Sequence, residues 1–313
     1  MRDETNGGTR VRRRWQLAGV LAVAGLALWA QCVSAQCNGD ALQPPPAANP
    51  ARPTLSVPAQ LPPTGYLQFE QGFNRAATSP GTLAQSAINQ TTKLALTSRL
   101  LVEFLSQPYT FNTVPVGAGQ QSTGNVGDLD AGVQAVVLAS KGARPTLDVG
   151  YVGRVHTGTA ANLDIGEFAQ SVVLYFSGDL PHGVHYDSDY QFNQQQSAEN
   201  SAVPTTHAVS RAQYVQTLAL SRPVLAKATG GRLTGYVELQ HATQPFATVS
   251  AHNRPLPGAP VRANAVDLLV ATPFALRPNL VLDAAVTRGL TSSSTQWQGT
   301  VGATYLLPRR LWR

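Results

Sequence analysis

The chain has 313 residues, 13% of them charged and 43% hydrophobic, with a formal net charge of +6. That length suits one large all-β domain or two ordinary domains. Past the N-terminus no stretch reaches the roughly 18 apolar residues of a membrane helix, which excludes a helical membrane protein, whereas half-apolar transmembrane β-strands would give this composition.

The N-terminus comes first in chain order. "RVRRR" (10–14) precedes the apolar run "WQLAGVLAVAGLALWA" (15–30), and "VSA" (33–35) supplies small residues for a signal peptidase. This order of charge, apolar run and cleavage site predicts a secretory signal peptide over 1–35, with an uncleaved anchor as the alternative. Gln31 and Gln36 precede Cys32 and Cys37, where a lipidation site needs a small residue. Cleavage after Ala35 removes five basic and two acidic residues, lowering the net charge from +6 to +3. No basic cluster with interleaved aromatics survives, so nucleic acid is not an expected partner. Cys37 is then the one remaining cysteine and no internal disulfide can form.

Residues 36–64 are rich in proline ("QCNGDALQPPPAANPARPTLSVPAQLPPT"), which opposes both sheet and long helix. They predict an extended periplasmic lead-in, with a plug reaching into a barrel as the alternative. Alternation with period two then predicts about twelve strands over 65–307. They fall near 66–74, 90–98, 99–107, 126–139, 144–156, 166–177, 182–194, 209–223, 231–241, 262–274, 279–289 and 295–307. In "VHYDSDYQFN" (184–193), Val184, Tyr186, Tyr190 and Phe192 share one face, and His185, Asp187, Asp189, Gln191 and Asn193 the other.

Connection length separates membrane from soluble architecture. Tight turns are predicted at 97–99, 140–144, 177–181, 227–232 and 276–279, each with Gly, Pro, Asn or Ser at the bend. Longer stretches lie at 75–89, 108–125, 157–165, 195–208 and 242–261, and a brief one at 290–294. Short turns at one end and long loops at the other predict an all-β, antiparallel transmembrane barrel, with turns periplasmic and loops extracellular. Residues 308–313 form a C-terminal tail.

Six segments carry a resemblance: "KLALTSRLLVEFLSQPY" (93–109), "GNVGDLDAGVQAVVL" (124–138), "RPTLDVGYVGRVHTG" (144–158), "DYQFN" (189–193), "LTGYVELQ" (233–240) and "PNLVLDAAVTRGLT" (278–291). In order and spacing they resemble the outer-membrane transporter family associated with the meta-pathway of phenol degradation, over about residues 65–305. The resemblance implies an outer-membrane barrel that passes small, aromatic or hydrophobic compounds. The ending departs from the usual pattern, in which insertion machinery reads a terminal aromatic residue. Here Pro308, Arg309 and Arg310 follow Leu307, so the signal is either Tyr305–Leu307 or Trp312.

If apolar faces meet lipid, parity turns the acids inward. The candidate lumen-lining residues are Glu70, Lys93, Glu103, Asp128, Asp130, Asp148, Arg154, His156, His185, Asp187, Asp189, Arg232, Glu238, Asp267 and Asp283. The excess of acids predicts a cation-preferring pore, or else acids paired with lumen arginines in a structural interior. No metal site is predicted, because His185, Asp187 and Asp189 are spaced along one strand, about 7 Å apart at successive same-face positions. No catalytic site or cofactor is expected either. Ser188 lies opposite His185, and "GAGQQSTGNVG" (117–127) lacks the Gly-Lys-Ser/Thr ending of a phosphate loop. The expected function is passage of small solutes through the bacterial outer membrane, with lipid and the insertion machinery as partners. The alternatives are a structural or adhesive barrel and a secreted soluble β-protein.

Overall fold

A computed structural model describes residues 46–79, 82–116, 119–140, 144–155, 157, 169–195, 212–244, 263–292 and 294–312. Thirteen strands account for most of them: β1 (Leu67–Ser79), β2 (Thr82–Thr97), β3 (Leu100–Val116), β4 (Gly119–Asn125), β5 (Leu129–Leu138), β6 (Thr146–Val155), β7 (Ala169–Leu180), β8 (Val184–Gln195), β9 (Ala212–Pro223), β10 (Thr234–Gln244), β11 (Ala263–Arg277), β12 (Leu280–Gly289) and β13 (Trp297–Leu306). All pairings are antiparallel, and β1 bonds to both β2 and β13. Since β2 also pairs with β3 and β3 with β5, the sheet closes on itself.

The wall has twelve positions because β4 and β5 share one. Leu100–Ser106 of β3 pair with β5, and Thr110–Val116 of the same strand pair with β4. The change falls at Gln107–Pro108, where the β2–β3 register also shifts. Proline has no N–H to give the ladder, so continuous pairing on both edges cannot hold there. The expected loop at 108–125 is therefore mostly a hairpin, and most of 75–89 extends β1 and β2. Residues 158–165, 196–208 and 245–261 of the other expected long loops lie outside the described residues, as do residues 1–45, on which the expected signal peptide falls.

The wall is inverted relative to a soluble sheet. Val270 and Val301, on outward positions, are 56% and 54% exposed, whereas Asp148 and Glu238, on inward ones, are 0% exposed. Tyr190 and Phe192 face outward on β8, and Asp187 and Asp189 are buried on its other side. A closed ladder satisfies the backbone without water, and the apolar exterior then suits hydrocarbon. The β2–β3, β5–β6, β7–β8, β9–β10 and β11–β12 connections, the start of β1 and the end of β13 lie at one end, and the connections longer than ten residues at the other.

Residues 46–64, expected as an extended lead-in or as a plug reaching into the barrel, lie against the inner face of the wall. They run through the interior, touching inward side chains of β1, β5, β7, β8, β10 and β12. An irregular segment survives there because the wall answers its backbone groups. At its exit Gly65 takes φ +80°, a turn that a Cβ would strain. The C-terminal tail closes over this point: Leu311 N donates to Gly65 O at 2.8 Å and Arg310 Nε to Thr64 O at 3.1 Å.

Candidate functional site

The inward acids and the internal segment form one polar network. Glu238 accepts from Leu55 N at 2.8 Å, from Ser56 N at 2.6 Å and from Ser56 Oγ at 2.6 Å. Asp189 accepts from Val57 N at 2.7 Å, and Ser177 Oγ accepts from Ala59 N at 2.8 Å. The Gln68 amide, on β1, accepts from Asn49 N at 3.0 Å and donates to Asn49 O at 2.7 Å, much as a strand would. Glu70 accepts from Ala51 N at 3.3 Å and is paired with Lys93 at 2.9 Å. Proline-rich backbone thus brings its few N–H groups to the carboxylates that alternation turns inward. Charge-assisted bonds of this kind are the stronger class.

Arg52 carries the segment's positive charge. Its Nε lies 3.8 Å from Asp283 Oδ1 on β12. Gly72 on β1 and Gly302 on β13, paired across the ladder, leave the space it fills: a Cβ at either position would run into its guanidinium group. These wall glycines serve a close approach rather than a bend.

The remaining candidates divide by position. Ser177 donates to Asp187 Oδ1, which lies 3.4 Å from His185 Nε2, and His185 Nδ1 is 2.7 Å from Asp179. Cross-strand register explains this chain, since Ser177 faces Asp187 and Asp179 faces His185. Asp189 is turned to Val57, so His185, Asp187 and Asp189 do not converge on one point. Asp148 accepts from Gln134, which also donates to Pro58 O. Arg154 pairs with Asp130 at 2.8 Å, and buried Glu103 faces Lys93 across the β2–β3 ladder. Asp128 accepts from Thr157 N at the end away from the start of β1, and Asp267 lies at the same end of β11, opposite Gly289.

Two candidates stand apart. Arg232 is exposed in the β9–β10 turn with its guanidinium carbon 5.4 Å over the outward Phe274 ring. It precedes the strand, so the parity that turned it inward does not reach it. His156 lies outside the described residues. Arg52, Gln68, Gln134 and Ser177 escaped the sequence reading. Gln68, Gln134 and Ser177 share the inward parity of the acids but lack the charge that drew attention to them.

Above the internal segment lies a cavity of about 400 Å³. Arg52, Leu55 and Val57 border it on one side, and Glu103, Asp189 and Tyr175 on the wall. Its lining mixes charges and amides with an apolar side, so it suits a small polar or amphipathic molecule.

No protein-family model matches the chain, and no curated protein matches it in sequence. Among solved structures, an outer-membrane channel from Pseudomonas putida F1 aligns with a TM-score of 0.56 at 13% identity, over 80% of this chain and 98% of that one. The fold is that of an outer-membrane barrel. The NanC porin (TM-score 0.48, 7% identity, 77% and 99% coverage) and the CymD monoaromatic hydrocarbon channel (0.43, 8%, 79% and 90%) are more distant. The fold assignment rests on the first of the three and on the closed ladder itself.

Proposed function

We propose that this barrel passes small solutes across the outer membrane, and that passage requires residues 46–64 to shift from the lumen. One observation carries the reading: the segment is held by polar contacts from its backbone N–H groups to wall side chains, with apolar packing confined to Ala59 and Val57 against Val173 and Tyr175. A structural stopper would be expected to bury an apolar surface. Bonds to wall acids can instead be exchanged for bonds to water as the segment leaves. Four acids border the cavity (Glu70, Glu103, Asp130 and Asp189) against three bases (Arg52, Lys93 and Arg154), so removing Arg52 with its segment increases the acid excess. The pore that remains prefers cations. The finer reading, aromatic or hydrophobic solutes, rests on the sequence resemblance and on the apolar side of the cavity at Leu105, Val152, Val173 and Tyr175.

Planar-bilayer recording tests this directly. Protein carrying Asp189→Asn and Glu238→Gln should show larger conductance steps than wild type, with a reversal potential in a salt gradient of cation-selective sign. Folded protein that stays silent in both forms refutes transport and favours a structural or adhesive barrel.

A further inference from the structure

The β9–β10 connection differs from the other short turns. Residues 224–233 rise into a lip, with a single helical turn at Ala226–Thr229, and the lip is internally bonded. Val224 N donates to Leu233 O, Gly231 N to Ala226 O, and Thr229 Oγ1 to Leu225 O. Its apolar residues are nevertheless turned out. Leu225 is 70% exposed and adopts φ +49°, a left-handed conformation that a leucine rarely takes. Leu276, at the end of the adjoining β11, is also exposed.

Around these side chains stand four exposed cations. Arg222 ends the outward row of β9, following Leu218 and Leu220; Lys227 lies in the helical turn; Arg232 covers Phe274; and Arg277 begins the turn into β12. Arg277 and Tyr305 are both register partners of Leu280, which ties the cluster to an outward aromatic ring. None of the four cations has an ion pair among the described residues. Asp179 lies at the same end on β7 and is bonded to His185. Arg99 and Arg144 are exposed there too, so positive charge continues around this end of the barrel.

We propose that this lip is a binding site for the phosphate headgroups of anionic phospholipids in the inner leaflet of the outer membrane. Leu218 and Leu220, on the outward row of β9, meet the acyl chains, and Arg222 follows them at the end of that row, with Arg232 and Arg277 on the neighbouring turns, where lipid phosphates lie. Arginine offers phosphate a planar pair of donors, and the internal bonds of the lip reduce the ordering that binding requires. The site lies on the outer wall and is independent of whether the barrel conducts.

The test uses the full chain, reconstituted with equal amounts of dioleoyl phosphatidylglycerol and dioleoyl phosphatidylcholine. Retained lipid is then counted by native mass spectrometry. Wild type should retain the phosphatidylglycerol roughly tenfold over the phosphatidylcholine, since each cation near a charged headgroup contributes to the preference. Arg222→Gln, Lys227→Gln, Arg232→Gln and Arg277→Gln together should bring the ratio near one, with the heat-dependent gel shift of a folded barrel unchanged. Arg75→Gln with Arg288→Gln, at the opposite end, should leave the preference intact. Raising the salt should weaken the wild-type preference, a measurement that needs no variant. An equal wild-type ratio, or a preference that the fourfold variant keeps, overturns the proposal. So does one that the Arg75/Arg288 pair abolishes, which would move the anion to the outer leaflet.

Discussion

Glu238 offers the sharpest perturbation of the internal segment. Its carboxylate accepts three bonds, from Leu55 N, Ser56 N and Ser56 Oγ, and its side chain is fully buried. Glu238→Gln keeps one carbonyl acceptor and replaces the other oxygen with an NH₂ that faces donors. At least two bonds are then lost or weakened. Bonds to a charged acceptor contribute about 1.5–3 kcal/mol each, so the lower end for two is about 3 kcal/mol. At about 1.4 kcal/mol per decade, the displaced population rises about a hundredfold. The wall should tolerate the change, because its ladder does not involve this side chain. Single-channel recording reads the effect as time spent in a higher conductance level. Folded Glu238→Gln protein with the same conductance histogram as wild type would refute the reasoning, since it would mean these bonds do not hold the segment.

Ser56→Ala removes one of the three bonds and should raise the same high-conductance occupancy by about tenfold, following the same scale. Gly72→Val places a side chain where the Arg52 guanidinium lies, so it should enlarge conductance while the heat-dependent gel shift persists. Leu218→Arg sets a charge on the outer face near mid-strand; a cost of about 2–4 kcal/mol there should lower folded yield in detergent refolding. Asp130→Asn removes one acid charge from the cavity wall, so cation selectivity measured by reversal potential should fall.

The wall was legible because a transmembrane strand writes its two environments into alternate residues. "VHYDSDYQFN" shows this: each of its apolar and acidic positions keeps the face that parity assigns. The extra hairpin was hidden because Gly119–Asn125 is polar throughout and shows no alternation. The internal segment was harder still to see. Its anchors are backbone N–H groups, which leave no trace in residue identity, and its prolines give the same composition to a solvated linker. Arg232 failed for a different reason: it stands one residue outside the ladder, where period two no longer governs direction.

The bonds joining Leu311 to Gly65 and Arg310 to Thr64 connect the flanks of the first and last strands at the seam where β1 meets β13. The first strand pairs with β2 early, but its second edge can find β13 only after the last strand has been made. The root of the internal segment therefore cannot be fastened while the chain is still growing. Closure of the barrel and fastening of the segment's exit become a single late event in assembly, and a chain cut short before Leu306 would lack both.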